Sequence, residues 1–543
     1  MDRLQRLPTE LLSRIVSLVL ESAWGAGDEP PSDRPWPEER RALYNLCLVS
    51  RQLRAVAQPF MFRYLEVSDR EDAYPDGGLV QTHIQLLMRF TIALCLNPEL
   101  GKHVRFVELD SFAKPAPRNT TALGSDFHTV LGPALGELPL HDRERQSWRY
   151  ALRQCDLSIP MALIAIKAPN LRVVRFNHGH GILERLSTLR ESCPSLLSRL
   201  EQLHLTLSDH TETGYNIAQY TPLLTLPSLR EFSFEDADLY GKNCPSAWKP
   251  GTLETQDIDL AHCHCDASGV EKLLRACKKV TGFTFQTLAS HADSFNPRGR
   301  GPYEPNAGNI HAALLPHKET LQFLQLDLWR KATLLVSIEG YQTFCSSRVK
   351  LPSLRDFPLL EFVEIQHALL PEAPQFSPAL KLLHITDCNS SIRNMVANIA
   401  ADCKNGRYPK FERFRVSALD ITRPIKLPGQ RIPQGQTPEQ CFRSLSAVFE
   451  GTSVDFQIVP HAVELDDGDT VFTSDSDSDS DSEYDNDGDF EEEFPYPFIN
   501  AAGPDIPAMT MMMQQAMQDP ALAAALTAFD GDSDHSWETA DEL

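Results

Sequence analysis

Two rhythms of apolar and polar positions divide the chain. Over residues 1–65 the apolar residues recur at helical spacing. Leu11, Leu12, Ile15, Val16, Leu18 and Val19 cover a wide face, because positions three and four apart share one side of a helix. The pattern predicts a helix capped by Thr9, with Glu10 placed favourably in its first turn. Gly25, Gly27, Pro30, Pro31, Pro35 and Pro37 break it. Pro37 followed by Glu38 and Glu39 suits a second helix start, which runs through Leu43, Leu46 and Val49. Ser50 suits the cap of a third, which carries Leu53, Val56 and Ala57 and is expected to stop at Pro59. Three short helices cannot bury this much apolar surface alone, so part of it should face a partner or the next domain.

From Val104 onward the rhythm changes. Apolar residues stand at i, i+3 and i+5, with a small, apolar or cysteine residue at i+8. The template fits Val104-Val107-Leu109, Leu171-Val174-Phe176, Leu200-Leu203-Leu205, Leu229-Phe232-Phe234 and, opened by Thr, Thr255-Ile258-Leu260. It fits again at Val280-Phe283-Phe285, Leu321-Leu324-Leu326, Leu360-Val363-Ile365, Leu380-Leu383-Ile385 and Phe411-Phe414-Val416. Each i+3/i+5 pair alternates like a short strand with one buried face. Between these units, Pro160–Ala168, Gly181–Cys193 and Gly269–Lys278 read as helices. Ser111–Arg149, His291–His317 and Thr422–Gln440 read as insertions, and the second, rich in Gly, Pro, Asn and Arg, as a surface loop.

Units of this kind bury their apolar faces only by stacking, which predicts one continuous core and a row of parallel strands. The outward residues at i+4 are Arg175, His204, Ser233, Asp259, Thr284, Gln325, Glu364, His384 and Arg415. They are polar, mixed in charge and without a repeated identity. That suits recognition of one particular protein surface better than a repeated ligand such as a polynucleotide backbone.

Charge changes the picture at the C-terminus. Residues 464–543 hold 23 of the 74 acidic residues and no Lys or Arg, so 51 acidic and 51 basic residues remain in 1–463. The body is neutral, and the net charge of −23 belongs to the tail. Without a basic domain, nucleic-acid binding is not expected. The run Ser474–Glu483 alternates Ser with acidic residues, and its mutual repulsion predicts a disordered tail. Ser474, Ser476, Ser478, Ser480 and Ser482 each have an acidic residue three positions on, a pattern resembling the targets of acidophilic casein-kinase-type enzymes. Phosphorylation would add about −1.5 to −2 charges per site. A Met- and Ala-rich stretch at 507–529 is able to form a short helix.

Candidate chemistry is sparse. His262-Cys263-His264-Cys265 is the most metal-like string, but four consecutive side chains cannot all turn toward one ion. No metal or cofactor is therefore expected. No phosphate-binding Gly-rich loop and no Gly-x-Ser-x-Gly elbow is present, so the chain is expected to be non-catalytic. No run of 18 apolar residues predicts a membrane span, and the N-terminus does not read as a signal peptide. The expected location is intracellular, cytoplasmic or nuclear. The sequon Asn119-Thr120-Thr121 and the terminal Asp541-Glu542-Leu543 then carry no role.

The N-terminal segment resembles an F-box. The shared elements are Leu7-Pro8, Glu10-Leu11-Leu12, Ile15, Leu48-Val49-Ser50-Arg51 and Leu53-Arg54. The closing Gln58-Pro59-Phe60-Met61-Phe62-Arg63 resembles the end of the segment in filamentous-fungal members, while Trp24–Trp36 is longer than the usual first connection. The later units resemble degenerate leucine-rich repeats, in which a residue after the strand turns inward; Cys263 and Cys388 match that position. Unit spacings of 20 to 67 residues, where a regular array would hold about 20–29, imply an irregular array with insertions.

The expected fold is α/β: a three-helix F-box over 1–65, a solenoid with parallel strands over 66–463, and a disordered acidic tail over 464–543. The resemblance implies a substrate receptor of a cullin–RING ubiquitin ligase. The F-box would dock on a Skp1-type adaptor through Leu7, Pro8, Leu11, Leu12, Ile15, Leu48 and Val49, directly or as the packing behind the interface. The repeats would hold a protein target. Two rival readings are a scaffold that binds Skp1 outside a ligase, and a binder of basic proteins through the acidic tail.

Overall fold

All ten template units form strands, and in each the i+3 and i+5 side chains turn inward while their neighbours face outward. The computed structural model describes residues 8–24, 37–67, 79–109, 126–154, 156, 158–177, 180–206, 215–287, 305–328, 348–388, 392–418, 437, 440 and 443–460. The strands are β1 (Tyr64–Val67), β2 (Phe106–Leu109), β3 (Val173–Asn177), β4 (Gln202–Thr206), β5 (Tyr215–Asn216), β6 (Glu231–Glu235) and β7 (Ala237–Leu239). They continue with β8 (Asp257–Cys265), β9 (Gly282–Thr287), β10 (Phe323–Asp327), β11 (Phe362–Gln366), β12 (Leu382–Cys388), β13 (Arg413–Ala418) and β14 (Asp455–Pro460). Every strand pairing among the described residues is parallel, and the main path runs in chain order, with only β5 and β7 forming a side ladder. Thirteen α-helices accompany the strands among the described residues, so the fold is α/β.

One hydrogen-bond device aligns the strand starts. The carbonyl of the residue before each strand accepts two N–H groups from the next unit. Arg63 O takes Arg105 N at 2.8 Å and Phe106 N at 3.1 Å; Arg105 O takes Arg172 N and Val173 N at 2.8 and 3.0 Å. The same step continues through Arg172, Glu201, Arg230, Gln256, Thr281, Gln322, Glu361 and Lys381. With the starts in register, like positions fall into rows. The inward row includes Leu203, Leu205, Phe232, Phe234, Phe283 and Phe285, each at most 1% exposed. Burying one such side chain stabilises by about 1.5–3 kcal/mol.

The chain re-aims just after β6 and within β8 and β12 by a shared left-handed residue. Asp236, His262 and Asp387 occupy the i+7 position of their units with φ of 55°, 52° and 52°. This left-handed backbone turns the i+8 residue inward, and Ala237, Cys263 and Cys388 are all buried there. The Cys263 thiol donates to Phe234 O at 3.2 Å, and the Cys388 thiol to Ile385 O at 3.2 Å. The pairing register shifts at both cysteines.

The N-terminal helices are α1 (Thr9–Trp24), α2 (Pro37–Val49) and α3 (Arg51–Met61). Leu12, Val16, Leu43, Cys47, Leu53, Val56 and Ala57 form a second, smaller core. It closes against Tyr64 of β1 and Phe106 of β2, whose rings lie 4.5 Å apart. The helical piece therefore sits on the outward face of the first strands.

Several expectations need correction. Thr9 is the first helical residue; the Pro8 carbonyl accepts from Leu11 N and Leu12 N, so Pro8 holds the cap position. Pro59 does not stop α3, which runs on to Met61; a proline deletes one backbone donor, and Phe62 N still reaches Gln58 O at 3.1 Å. Ser50 does cap α3, accepting from Leu53 N at 3.2 Å. The Ser111–Arg149 stretch contains helix Asp126–Gly136 and most of helix Asp142–Arg153. Its composition hid them, because Gly132, Pro133 and Gly136 interrupt the first and the second is strongly polar. The supposed loop His291–His317 includes helix Ala307–Leu314, held by a reciprocal Asn306/Asn309 cap. Four further strands, β1, β5, β7 and β14, were not expected. Phe62-Leu65-Val67 fits the template and forms β1 across residue 65, and β14 lacks an apolar residue at i. Residues 461–543, with the acidic run and the 507–529 stretch, lie outside the described residues, as does most of Thr422–Gln440.

Candidate functional site

Two surfaces stand out among the described residues. The first is the outer side of the helical piece. Leu11, Ile15 and Leu18 stand at i, i+4 and i+7 on α1, so one stripe carries all three. They are 52%, 41% and 49% exposed. Leu12 and Val16, one position on from Leu11 and Ile15, are each 1% exposed. Leu48 and Val49, at the end of α2, are both 42% exposed. Five of the ten exposed large hydrophobics among the described residues thus fall on α1 and α2. Leaving such side chains in water forgoes their transfer free energy, so a cluster of them is an unusual feature of a protein surface.

The expected adaptor residues accordingly separate. Leu11, Ile15, Leu48 and Val49 lie on the outside, and exposed Pro8 leads into α1. Leu12 is packing behind them. Leu7 lies outside the described residues. Leu18 belongs with the exposed set, and its i+7 spacing from Leu11 was the signal. The phosphorylation candidates Ser474, Ser476, Ser478, Ser480 and Ser482 lie outside the described residues.

The second surface is the open face of the sheet. Register places Arg175, His204, Ser233, Asp259 and Thr284 in one line across neighbouring strands. The line continues through Gln325, Glu364, His384 and Arg415. These side chains hold each other in place: Ser233 donates to Asp259 at 2.9 Å, Gln325 to Glu364 at 3.1 Å, and Arg415 to Gln457 at 3.3 Å. His384 bridges Glu364, 3.2 Å from Nδ1, and the Ser417 hydroxyl, 2.8 Å from Nε2. Burial, aided by Arg175, pushes the His204 pKa down to about 4, so that ring is neutral at pH 7. Burial raises the pKa of Glu235 and of Asp259, the latter opposed by the Ser233 hydrogen bond.

A parallel row at i+2 changes character along the sheet. Tyr64, Phe106 and Val173 are apolar, and all three pack against the helical piece. Gln202, Glu231, Asp257 and Gly282 follow, and then Phe323 and Phe362 stack with centroids 4.5 Å apart and planes at 8°. Leu382 pairs with Phe362, and all three are half-buried, a small apolar step beside the Gln325–Glu364–His384 line. The legible signal was an apolar residue where most other units carry a polar one.

The His262–Cys265 string alternates as a strand must. Cys263 and Cys265 turn into the core, while His262 lies 3.9 Å from Glu235 on the outside. Burial drives the Cys265 thiol pKa upward and that of Cys277 up to about 12, which keeps both protonated. No group of three or more His, Cys, Asp or Glu among the described residues is placed to hold a metal ion. No helix among them is long and apolar enough to cross a membrane.

Compared with models of known families and with curated proteins, the chain gives no match.

Proposed function

We propose that the chain is a non-catalytic substrate receptor. Its N-terminal helices dock on a Skp1-type adaptor as an F-box does, and its repeat sheet holds a protein target for a cullin–RING ubiquitin ligase. The observation that carries this reading is the exposed stripe Leu11, Ile15 and Leu18, with Leu48 and Val49, on a helical piece whose inner residues Leu12, Val16, Leu43, Leu53, Val56 and Ala57 are packed. Outer residues of an F-box-like segment that stay apolar at the cost of solubility are readily explained by an adaptor that covers them.

The open sheet face supports the second half. It offers a non-repeating polar line and the Phe323/Phe362 step, which fits a target recognised by shape and local chemistry. The receptor contributes proximity: a tethered target presents its lysines to the transfer centre at high effective concentration.

Affinity purification with mass spectrometry tests the reading. The full chain should bring down a Skp1-type adaptor and a cullin. Leu7→Ala with Pro8→Ala, or Leu11→Asp with Ile15→Asp, should lose both while the sheet stays folded. Recovery of the adaptor with these variants, or its absence from the full chain's partners, would sink it.

A further inference from the structure

The stacked rings of Phe323 and Phe362 stand on the open face of the sheet, and Leu382 extends them on the next strand. Large apolar side chains at outward positions forgo transfer free energy, and a stacked aromatic pair is a surface on which binding energy concentrates. The row beside the stack departs from its neighbours. Register runs Asp257, Gly282, Phe323, Phe362 across β8 to β11. Gly282 has no side chain yet is buried, and the Asp257 carboxylate leans over it: a Cβ at Gly282 would meet Asp257 Oδ1 at 2.5 Å. The Thr281 hydroxyl donates to that same oxygen at 2.8 Å and holds it there. The glycine thereby lets the carboxylate of exposed Asp257 lie on the near side of the aromatic stack.

Charge on these four strands is one-sided. Strands β8, β9, β10 and β11 include Asp257, Asp259, Asp327 and Glu364 and no Lys or Arg; the histidines His262 and His264 lie at the far end of β8. Hydroxyls of Thr281 and Ser233 donate to Asp257 and Asp259, and the Gln325 amide donates to Glu364, which His384 also approaches. Neutral donors orient a carboxylate without cancelling its charge. Outward arginines stand on β3, as Arg175, and on β13, as Arg413 and Arg415. The face is therefore basic toward its two ends and acidic around the aromatic step.

We propose that the Phe323/Phe362 step anchors the target, and that the target presents there an extended segment in which Arg or Lys alternates with a large apolar residue. The proposal rests on the reading of the sheet as the surface that holds the target. In an extended segment, side chains two positions apart share a face and stand about 7 Å apart. On the sheet, Glu364 follows Phe362 by the same two positions, about 7 Å, and Asp257 lies two strand steps from Phe323, about 10 Å. An apolar residue of the segment covers the rings, and its cationic neighbour lays an aliphatic stem along them with the charged head on a carboxylate. Opposite charge at the rim then selects this segment over an acidic one.

Peptide binding to the full-length protein tests the proposal. The fluorescent probes are Arg-Ser-Leu-Ser-Arg-Ser-Leu, Glu-Ser-Leu-Ser-Glu-Ser-Leu and Arg-Ser-Ser-Ser-Arg-Ser-Ser; the last reports what the acidic tail attracts by long-range charge alone. The Arg/Leu probe is expected to bind at least about tenfold tighter than either control. Asp257→Asn should weaken it about two- to fivefold, the range of an exposed ion pair. Phe323→Ser with Phe362→Ser should weaken it at least about tenfold, and Asp257→Lys should shift the preference toward the Glu/Leu probe. Matching melting curves show that the variants fold, and the two Asp257 substitutions, at an exposed position, decide the matter if the double serine variant does not. Equal binding of the Arg/Leu and Glu/Leu probes, binding unchanged by these substitutions, or no binding up to about 1 mM overturns the proposal. Adaptor pull-down on the same preparations separates the two readings. Probe selectivity without adaptor recovery sinks the docking of the helical piece and supports the anchoring step; adaptor recovery without probe selectivity does the reverse.

Discussion

Leu11 and Leu12 are adjacent in sequence and opposite in fate: Leu12 is 1% exposed in the small helical core, and Leu11 is 52% exposed on the outer side. The pair separates stability from docking. Leu12→Ala should cost about 2–5 kcal/mol, the usual range for a truncated core leucine. Leu11→Asp with Ile15→Asp should shift stability by about 1 kcal/mol or less in total, yet remove adaptor binding. Denaturant melts and adaptor pull-down on the same preparations check both halves. An equal stability loss in the two variants would show that the outer stripe is structural.

Gln366 is a second fixed point. Fully buried, it donates through Nε2 to Asp327 and to Asp387, both at 2.7 Å, and its Oε1 accepts from Leu328 N at 3.0 Å. One amide therefore ties β10, β11 and β12 together. Gln366→Leu leaves two carboxylates and an N–H without this partner, at about 1–3 kcal/mol for each group left unsatisfied. We expect a loss of at least about 3 kcal/mol. Unfolding in urea measures it, and a loss below about 1 kcal/mol would mean that water replaces the amide.

Acid should destabilise the protein through two histidines. Burial pushes His204 and His367 down to about 4, helped by Arg175 and Lys350 respectively. Unfolded, each titrates near 6.5. Between those values the unfolded chain binds protons that the folded chain refuses. Their contribution is therefore complete above about pH 6.5, falls as pH drops toward 4, and flattens below. Both rings keep some solvent contact, so about 1–3 kcal/mol each is expected across that window. Melts between pH 7 and pH 4 should show the slope, and His204→Gln with His367→Gln should flatten it.

The left-handed turn positions make opposite predictions for one substitution. His262, 43% exposed in its side chain with φ of 52°, bears the usual strain of a residue with a Cβ in that region. His262→Gly should be neutral or stabilising by up to about 1 kcal/mol, and His262→Val destabilising by about 1–2 kcal/mol. Asp387 has the same φ but is buried and accepts the Gln366 hydrogen bond. Asp387→Gly should therefore lose about 2 kcal/mol or more. Thermal melts of the three variants decide whether backbone strain or the side-chain bond dominates at each site.

Much of this architecture was legible along the chain, for a plain reason. A strand with one covered face must alternate, so the pairs at i+3 and i+5 announced ten strands before any pairing was known. Ser50 announced the start of α3 because short polar side chains compete for the first free N–H groups of a helix. Helices Asp126–Gly136 and Asp142–Arg153 were hidden because tertiary packing outweighs weak local preference. Strand β1 was hidden because Phe62 also closes the helical piece, so one residue serves two patterns.

By itself the sequence determined which side chains are apolar, their period, and hence the parallel-strand α/β character with a wide-faced helical start. It also set a neutral body against an acidic tail. Only the tertiary structure decided which of two neighbouring leucines meets solvent, because that depends on where Tyr64 and Phe106 offer a surface to cover. Only it laid the Asp257 carboxylate over Gly282 beside Phe323, residues far apart in the chain. Periodicity is a local property of the chain, whereas the identity of the covering surface and the sum of charges on a face depend on residues that folding brings together across long sequence separations.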